Sequence, residues 1–115
     1  MRNFLYIAVF AWLMFSPGFA LADKAYITSK DLLLACPPNG DKVACQWYIG
    51  GVIDYHNIVN TVKNTPTLKF CIPDGVSLAK VADQVLYYLA QSPQHDSFIA
   101  SPAVMLALNR AYPCS

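Results

Sequence analysis

The chain has 115 residues, 56% of them apolar and 13% charged, with a formal net charge of +1 and no Glu. That length allows one domain, and the near-neutral balance excludes a nucleic-acid binder held by bulk charge. With no polybasic run, attachment to an anionic lipid surface is excluded on the same ground.

Met1–Ala22 has the three parts of a secretory signal. Arg2 gives the positive start and Phe4–Phe15 is an uncharged apolar stretch. Ser16-Pro17-Gly18 breaks the helix, and Ala20-Leu21-Ala22 fits a small-x-small cleavage site. A spanning helix needs roughly 20 apolar residues. This run stops at Pro17, so cleavage after Ala22 is expected rather than a membrane anchor. No cysteine follows the cleavage site to take a lipid. The expected mature chain is residues 23–115, one domain with no stable membrane insertion. Loss of Arg2 leaves acidic and basic side chains in equal number. A core of this size is marginal alone, so covalent staples are expected.

The periodicity of the mature part predicts four helices. Thr28 or Ser29 caps the first, which runs through Cys36, with Asp31 in its positive first turn and Leu32, Leu33 and Leu34 as its apolar face. Pro37-Pro38-Asn39-Gly40-Asp41 forces a turn. The second helix covers about Val43–Val62. Its predicted buried stripe is Ala44, Tyr48, Gly51, Val52, Tyr55, Ile58, Val59 and Val62, at three-and-four spacing. Gly50-Gly51 costs about 1 kcal/mol per residue in helix propensity, which a kink or the close approach of another helix would explain. Asp54 borders the stripe, where a carboxylate needs partners, so bonds to backbone amides of a neighbouring segment are expected. Asn64-Thr65-Pro66-Thr67 ends the helix.

Leu68–Pro73 is predicted extended, because the residue before a proline avoids helix, and Asp74-Gly75 turns the chain. The third helix runs from Ser77 to about Gln91, with Leu78, Val81, Ala82, Val85, Leu86 and Leu89 inward. Ser92–Asp96 is a polar connection. Ser101-Pro102 reads as a cap with proline in the first turn, with part of Ser97–Ala100 as a further candidate for the helix. The last helix holds Val104, Met105, Leu108, Ala111 and Tyr112, and Pro113 stops it. The expected fold is all-α, a small four-helix bundle-like domain with two disulfides.

Cys36, Cys45, Cys71 and Cys114 lie 9, 26 and 43 positions apart. Zinc sites bring ligands in tight pairs, and redox sites use C-x-x-C. Neither pattern occurs, and export favours oxidation. Four cysteines allow three pairings. Cys36–Cys45 with Cys71–Cys114 is favoured, because the first pins the turn between helices one and two and the second ties the third-helix segment to the chain end. On the chain-entropy model these loops contribute about 2.7 and about 4 kcal/mol.

Candidates for chemistry are sparse. Asp54 and His56 are two apart on a helix and do not face each other, so His56 reads as a satisfied or solvent-facing histidine. His95-Asp96 sits in the polar loop, where a solvated role is the default and partner contact the alternative. Trp47, Tyr87 and Tyr88 read as core or its rim, with a binding face as the alternative. Ser77, Ser97 and Ser101 look like caps, and no G-x-S-x-G elbow occurs. No enzyme, cofactor or metal site is expected.

The run Cys45-Gln46-Trp47-Tyr48-Ile49-Gly50-Gly51-Val52-Ile53-Asp54 is followed in order by Phe70-Cys71-Ile72-Pro73, Tyr88-Leu89, Ala107-Leu108 and Tyr112-Pro113-Cys114. This set, spanning about Ser29–Cys114, resembles the Rap/Tai family. Those are periplasmic immunity proteins against amidase effectors of the type VI secretion system. The resemblance implies a small helical inhibitor that binds a peptidoglycan amidase and obstructs its cleft, with a homodimer as a further association. The matching positions Tyr48, Gly50, Asp54, Cys71, Pro73, Leu89, Pro113 and Cys114 look like scaffold. Lys63–Lys69 and Gln91–Ser101 fall outside the shared pattern, so partner contacts are expected there, above all at Gln94, His95, Asp96, Ser97 and Phe98. Two other classes compete. One is a periplasmic stress or chaperone-type protein that exposes apolar faces in acid. The other is a carrier holding an apolar ligand in the bundle core.

Overall fold

The computed structural model describes residues 24–37, 39–62 and 68–115. The expected signal, and the Asn64–Thr67 stop, lie outside these residues. The described chain is all-α: α1 (Ser29–Ala35), α2 (Val43–Thr61), α3 (Leu78–Ala90), a 3-10 turn (Pro93–His95) and α4 (Ala100–Ala111). None of these helices is long and apolar enough to cross a membrane.

Each boundary has a local cause. The Thr28 hydroxyl accepts from the Asp31 N–H at 3.2 Å, and the Asp31 carboxylate accepts from the Thr28 N–H at 2.9 Å. This reciprocal capping box satisfies two donors that a helix start leaves free. Between α1 and α2 the Gly40 N–H reaches the Pro37 carbonyl at 2.9 Å, and the Asp41 carboxylate accepts from the Val43 N–H. Gly75 takes a left-handed φ of 84° in the turn before α3, a conformation that glycine adopts without a Cβ clash. Ser77 then caps α3 through the Lys80 N–H at 3.2 Å. The expected cap of α4 is different. Its first N–H, on Ala100, donates to the Ile27 carbonyl at 2.8 Å, and Ser101 already lies inside the helix, with its hydroxyl 3.2 Å from that of Tyr48.

The core sits between α3 and α4. Val81, Ala82, Val85, Leu86 and Leu89 face Ala100, Ala103, Val104, Ala107 and Leu108, all of them buried. The three small residues of α4, at three-and-four spacing, let the helices approach closely. Helix α1 adds Leu32 to this core, and α2 adds Cys45, Ile49 and Val52. Both disulfides form as favoured, Cys36–Cys45 and Cys71–Cys114. Phe70, in the extended stretch before α3, stacks on the His56 ring with centroids 3.9 Å apart. That stretch is held against the end of α4 by Cys71 N–H to the Tyr112 carbonyl and by the Asn109 amide to the Lys69 carbonyl.

Three expectations about faces are corrected. Of the three α1 leucines only Leu32 is fully buried. Leu33 packs partly and Leu34 is exposed, because successive helix residues turn by about 100° and three in a row do not share a face. In α4, Ala111 is exposed and Ala100, Ala103 and Ala107 take the inner positions. In α2 the buried set is Cys45, Ile49, Val52 and His56. Of the predicted stripe, Val52 is buried and Tyr48 and Val59 are half-buried, while Ala44, Gly51, Tyr55, Ile58 and Val62 face outward. The helix is apolar around much of its circumference, so periodicity alone admits two phases. The Cys36–Cys45 bond selects one by drawing Cys45 inward.

The same phase settles the glycines and Asp54. A Cβ on Gly50 would stand 3.3 Å from Leu78, so the close approach of another helix accounts for this residue. Gly51 has open space around it. The Asp54 side chain is exposed and makes no hydrogen bond among the described residues, contrary to the expected pairing with backbone amides of a neighbouring segment.

Candidate partner-binding surface

The loop from Ser92 to Ile99 carries the sequence-predicted contact residues. It begins where α3 ends, with the Ser92 N–H on the Leu89 carbonyl, and tightens into the 3-10 turn through His95 N–H to the Ser92 carbonyl. Its far side is fastened to the N-terminus of α1. The Ser29 N–H donates to the Phe98 carbonyl at 2.8 Å and the Lys30 N–H to the Asp96 carbonyl at 3.1 Å. Thr28 and Ile99 pair as an isolated antiparallel bridge. These bonds serve both partners, because the first N–H groups of any helix need acceptors. A loop fastened this way presents its side chains with little backbone freedom left to lose.

The loop's side chains divide by exposure. Gln94 and Ser97 are exposed, Phe98 is 47% exposed, and His95 and Asp96 are half-buried. The His95 ring stacks on Phe98 with centroids 4.8 Å apart, and Tyr88 lies tilted at 6.1 Å. His95 Nδ1 is shielded from solvent and has no hydrogen-bond partner among the described residues. His95 therefore braces Phe98 and is not a freely solvated loop residue. His56 is buried, with its ring nitrogen 3.3 Å from the Asn60 amide.

Two depressions flank this loop. One, of about 620 Å³, is bounded by Leu33 of α1, by Leu86 and Tyr87 of α3 and by Asp96. Its rim carries the exposed Lys42–Asp83 ion pair at 3.3 Å. The other, of about 870 Å³, lies between α2 and α4, with Trp47, Gly51 and Tyr55 on one wall and Pro102 and Met105 on the other. Trp47 and Tyr87 thus belong to different depressions, and Tyr88 packs on the core. Of the Lys63–Lys69 segment, only Leu68 and Lys69 are among the described residues, and Leu68 lines the larger groove. Sequence reasoning missed this groove, because it assigned Gly51 and Tyr55 to the interior.

Among the described residues no three His, Cys, Asp or Glu side chains gather into a metal-binding group. The exposed features are a clamped loop, a cleft with an ion pair at its rim and an apolar groove. Fold and surface together define a small, disulfide-braced helical binding domain. The family model of Rap1a immunity proteins matches residues 28–114, and the chain belongs to that family. As an immunity protein it acts by binding an effector protein. No curated protein matches the chain, and no solved structure does.

Proposed function

We propose that the chain is exported, is cleaved after Ala22, and acts in the periplasm as a steric inhibitor of a peptidoglycan amidase delivered by a type VI secretion system. The mature protein performs no reaction of its own. Its loop Gln94–Phe98 enters the effector's cleft and excludes substrate.

The observation that carries this reading is the loop, fastened to the first turn of α1 while Gln94, Ser97 and part of Phe98 face solvent. A segment ordered before binding loses less entropy on docking. A half-exposed aromatic held by a stacked neighbour is the kind of anchor that dominates small interfaces. Asp96 contributes a carboxylate at the edge of the cleft that Tyr87 borders. Export is supported by the leader-like composition of Met1–Ala22 and by four cysteines paired as two disulfides, since such bonds persist in oxidising compartments.

Co-export of the amidase with and without this protein tests the reading. Survival of the cells is expected to require the protein, and survival without it contradicts the proposal. Phe98→Ala and Asp96→Ala are expected to weaken effector binding about tenfold or more each, with unchanged far-UV circular dichroism. Both leave the backbone bonds of the loop in place. Unchanged affinity in both variants moves the contact elsewhere on the molecule.

A further inference from the structure

The cleft between α1, α3 and the clamped loop combines apolar walls with uneven charge. Leu33, Leu86 and Ala90 supply apolar surface, and the charged groups lining it are one cation, Lys42, and two carboxylates, Asp83 and Asp96. Lys42 is engaged, with its ammonium 3.3 Å from the Asp83 carboxylate. Asp96 has no such partner. Its side chain is half-buried and makes no hydrogen bond or ion pair among the described residues. Its backbone carbonyl, by contrast, accepts from the Lys30 N–H, which fixes the residue in place. A partly desolvated carboxylate without a counter-ion bears a cost that a bound cation would relieve. Tyr87 stands on the α3 wall of the same cleft and is 67% exposed, so much of its ring is open to contact.

We infer that this cleft receives an arginine side chain of the partner protein, with the apolar walls against its stem and Tyr87 and Asp96 against its guanidinium. The inference rests on the reading that an effector docks at the Gln94–Phe98 loop. Pro93 and Asp96 belong to the clamped loop and also line the cleft, so a partner seated on the loop lies over it. Two carboxylates against one cation leave the cleft negative, which selects a cationic side chain by complementarity. The apolar walls suit a stem of several methylenes below a charged head. Arginine fits better than lysine. Its flat guanidinium stacks on an aromatic ring and grips a carboxylate through two donors, while an ammonium is compact and more strongly hydrated. The volume of about 620 Å³ lies within the range of clefts that bury a ligand.

NMR titration of the mature, oxidised chain with capped tripeptides tests it, the central residue between two glycines being arginine, lysine or norleucine. The arginine peptide is expected to shift the backbone amides of Leu33, Ala90, Gln91 and Asp96 saturably at millimolar concentration. The norleucine peptide should bind at least about tenfold more weakly, and the lysine peptide about threefold more weakly. Asp96→Asn keeps the backbone carbonyl that accepts from Lys30 and should weaken arginine binding about tenfold. Tyr87→Ala should weaken it about threefold. Asp54→Asn, which removes an exposed carboxylate of α2 outside the cleft, should change nothing. Shifts confined to amides elsewhere overturn the inference, and so does equal binding of the norleucine or lysine peptide. Arginine binding unchanged in both Asp96→Asn and Tyr87→Ala overturns it too. Tighter binding of free L-arginine than of the peptide would mark a small-molecule site and also overturn it. No amidase enters this readout. If the arginine peptide fails while cell survival still requires the protein, the cleft assignment falls and the immunity reading stands. If the peptide binds as expected and survival does not require the protein, the immunity reading falls and the arginine cleft remains.

Discussion

The two disulfides brace the molecule in different ways. Cys36–Cys45 closes a corner of nine positions between α1 and α2, and both its cysteines are buried. Cys71–Cys114 clasps the stretch before α3 to the chain end across 43 positions, and both its cysteines are exposed. The corner is part of the core and sets how α2 is turned. The clasp lies outside the core and removes more freedom from the unfolded chain. A small domain thus uses one bond for orientation and the other for closure.

In stability the two bonds come close to each other, by different routes. Replacing the clasp by Cys71→Ala with Cys114→Ala is expected to cost about 4 kcal/mol in urea unfolding. The corner pair, Cys36→Ala with Cys45→Ala, is expected to cost about 2.7 kcal/mol from the shorter loop, and lost packing of two buried sulfurs adds on the order of 1 kcal/mol. Exposure also sets the order of reduction. Dilute dithiol followed by alkylation and peptide mass mapping should label Cys71 and Cys114 first, and earlier labelling of Cys36 and Cys45 would break the distinction.

Smaller effects separate the same two regions. Asn109→Ala removes the 2.7 Å bond to the Lys69 carbonyl beside the clasp, and thermal melts should show a loss of about 1 kcal/mol. On the corner side, Thr28→Ala removes the α1 cap at a similar cost of about 1 kcal/mol. The smallest effect concerns acid. The Lys24 ammonium, 2.7 Å from the Asp31 carboxylate, with the N–H and hydroxyl of Thr28, holds Asp31 down at about 2. A carboxyl lowered by folding stabilises fully above its ordinary value near ~4 and loses that contribution as pH falls through its folded value. Asp31→Asn should therefore be less stable than wild type at neutral pH, and the difference should close between pH ~4 and ~2.

Where composition changes sharply around a helix, the sequence was a sufficient guide. In α3, Asp83 and Gln84 separate two apolar groups, and Val81, Ala82, Val85, Leu86 and Leu89 are buried as their spacing predicts. The Thr28 cap, the Ser77 cap and the Asp74-Gly75 turn were legible because each depends on chemistry within four residues. Helix α2 was not, since Trp47, Tyr55 and Ile58 compete with Ile49 and Val52 for the same interior. Only a tertiary constraint, the bond at Cys45, chooses between them. Its signal was available: a half-cystine belongs with the buried side, and counting from Cys45 by four and three gives Ile49, Val52 and His56. The loop was legible as a candidate from its polarity. Its fastening to α1 was not, because the bonds from Ser29 and Lys30 use backbone atoms that carry no residue identity.

The proposed mode of action is an oxidised, pre-ordered scaffold that blocks an amidase by occupying its cleft. Hydrolysis of purified peptidoglycan by the effector, titrated with the oxidised mature chain, measures this directly. Activity is expected to fall to zero near an equimolar ratio, and the reduced, alkylated chain is expected to leave it untouched. Full hydrolysis in the presence of excess oxidised chain would contradict the account.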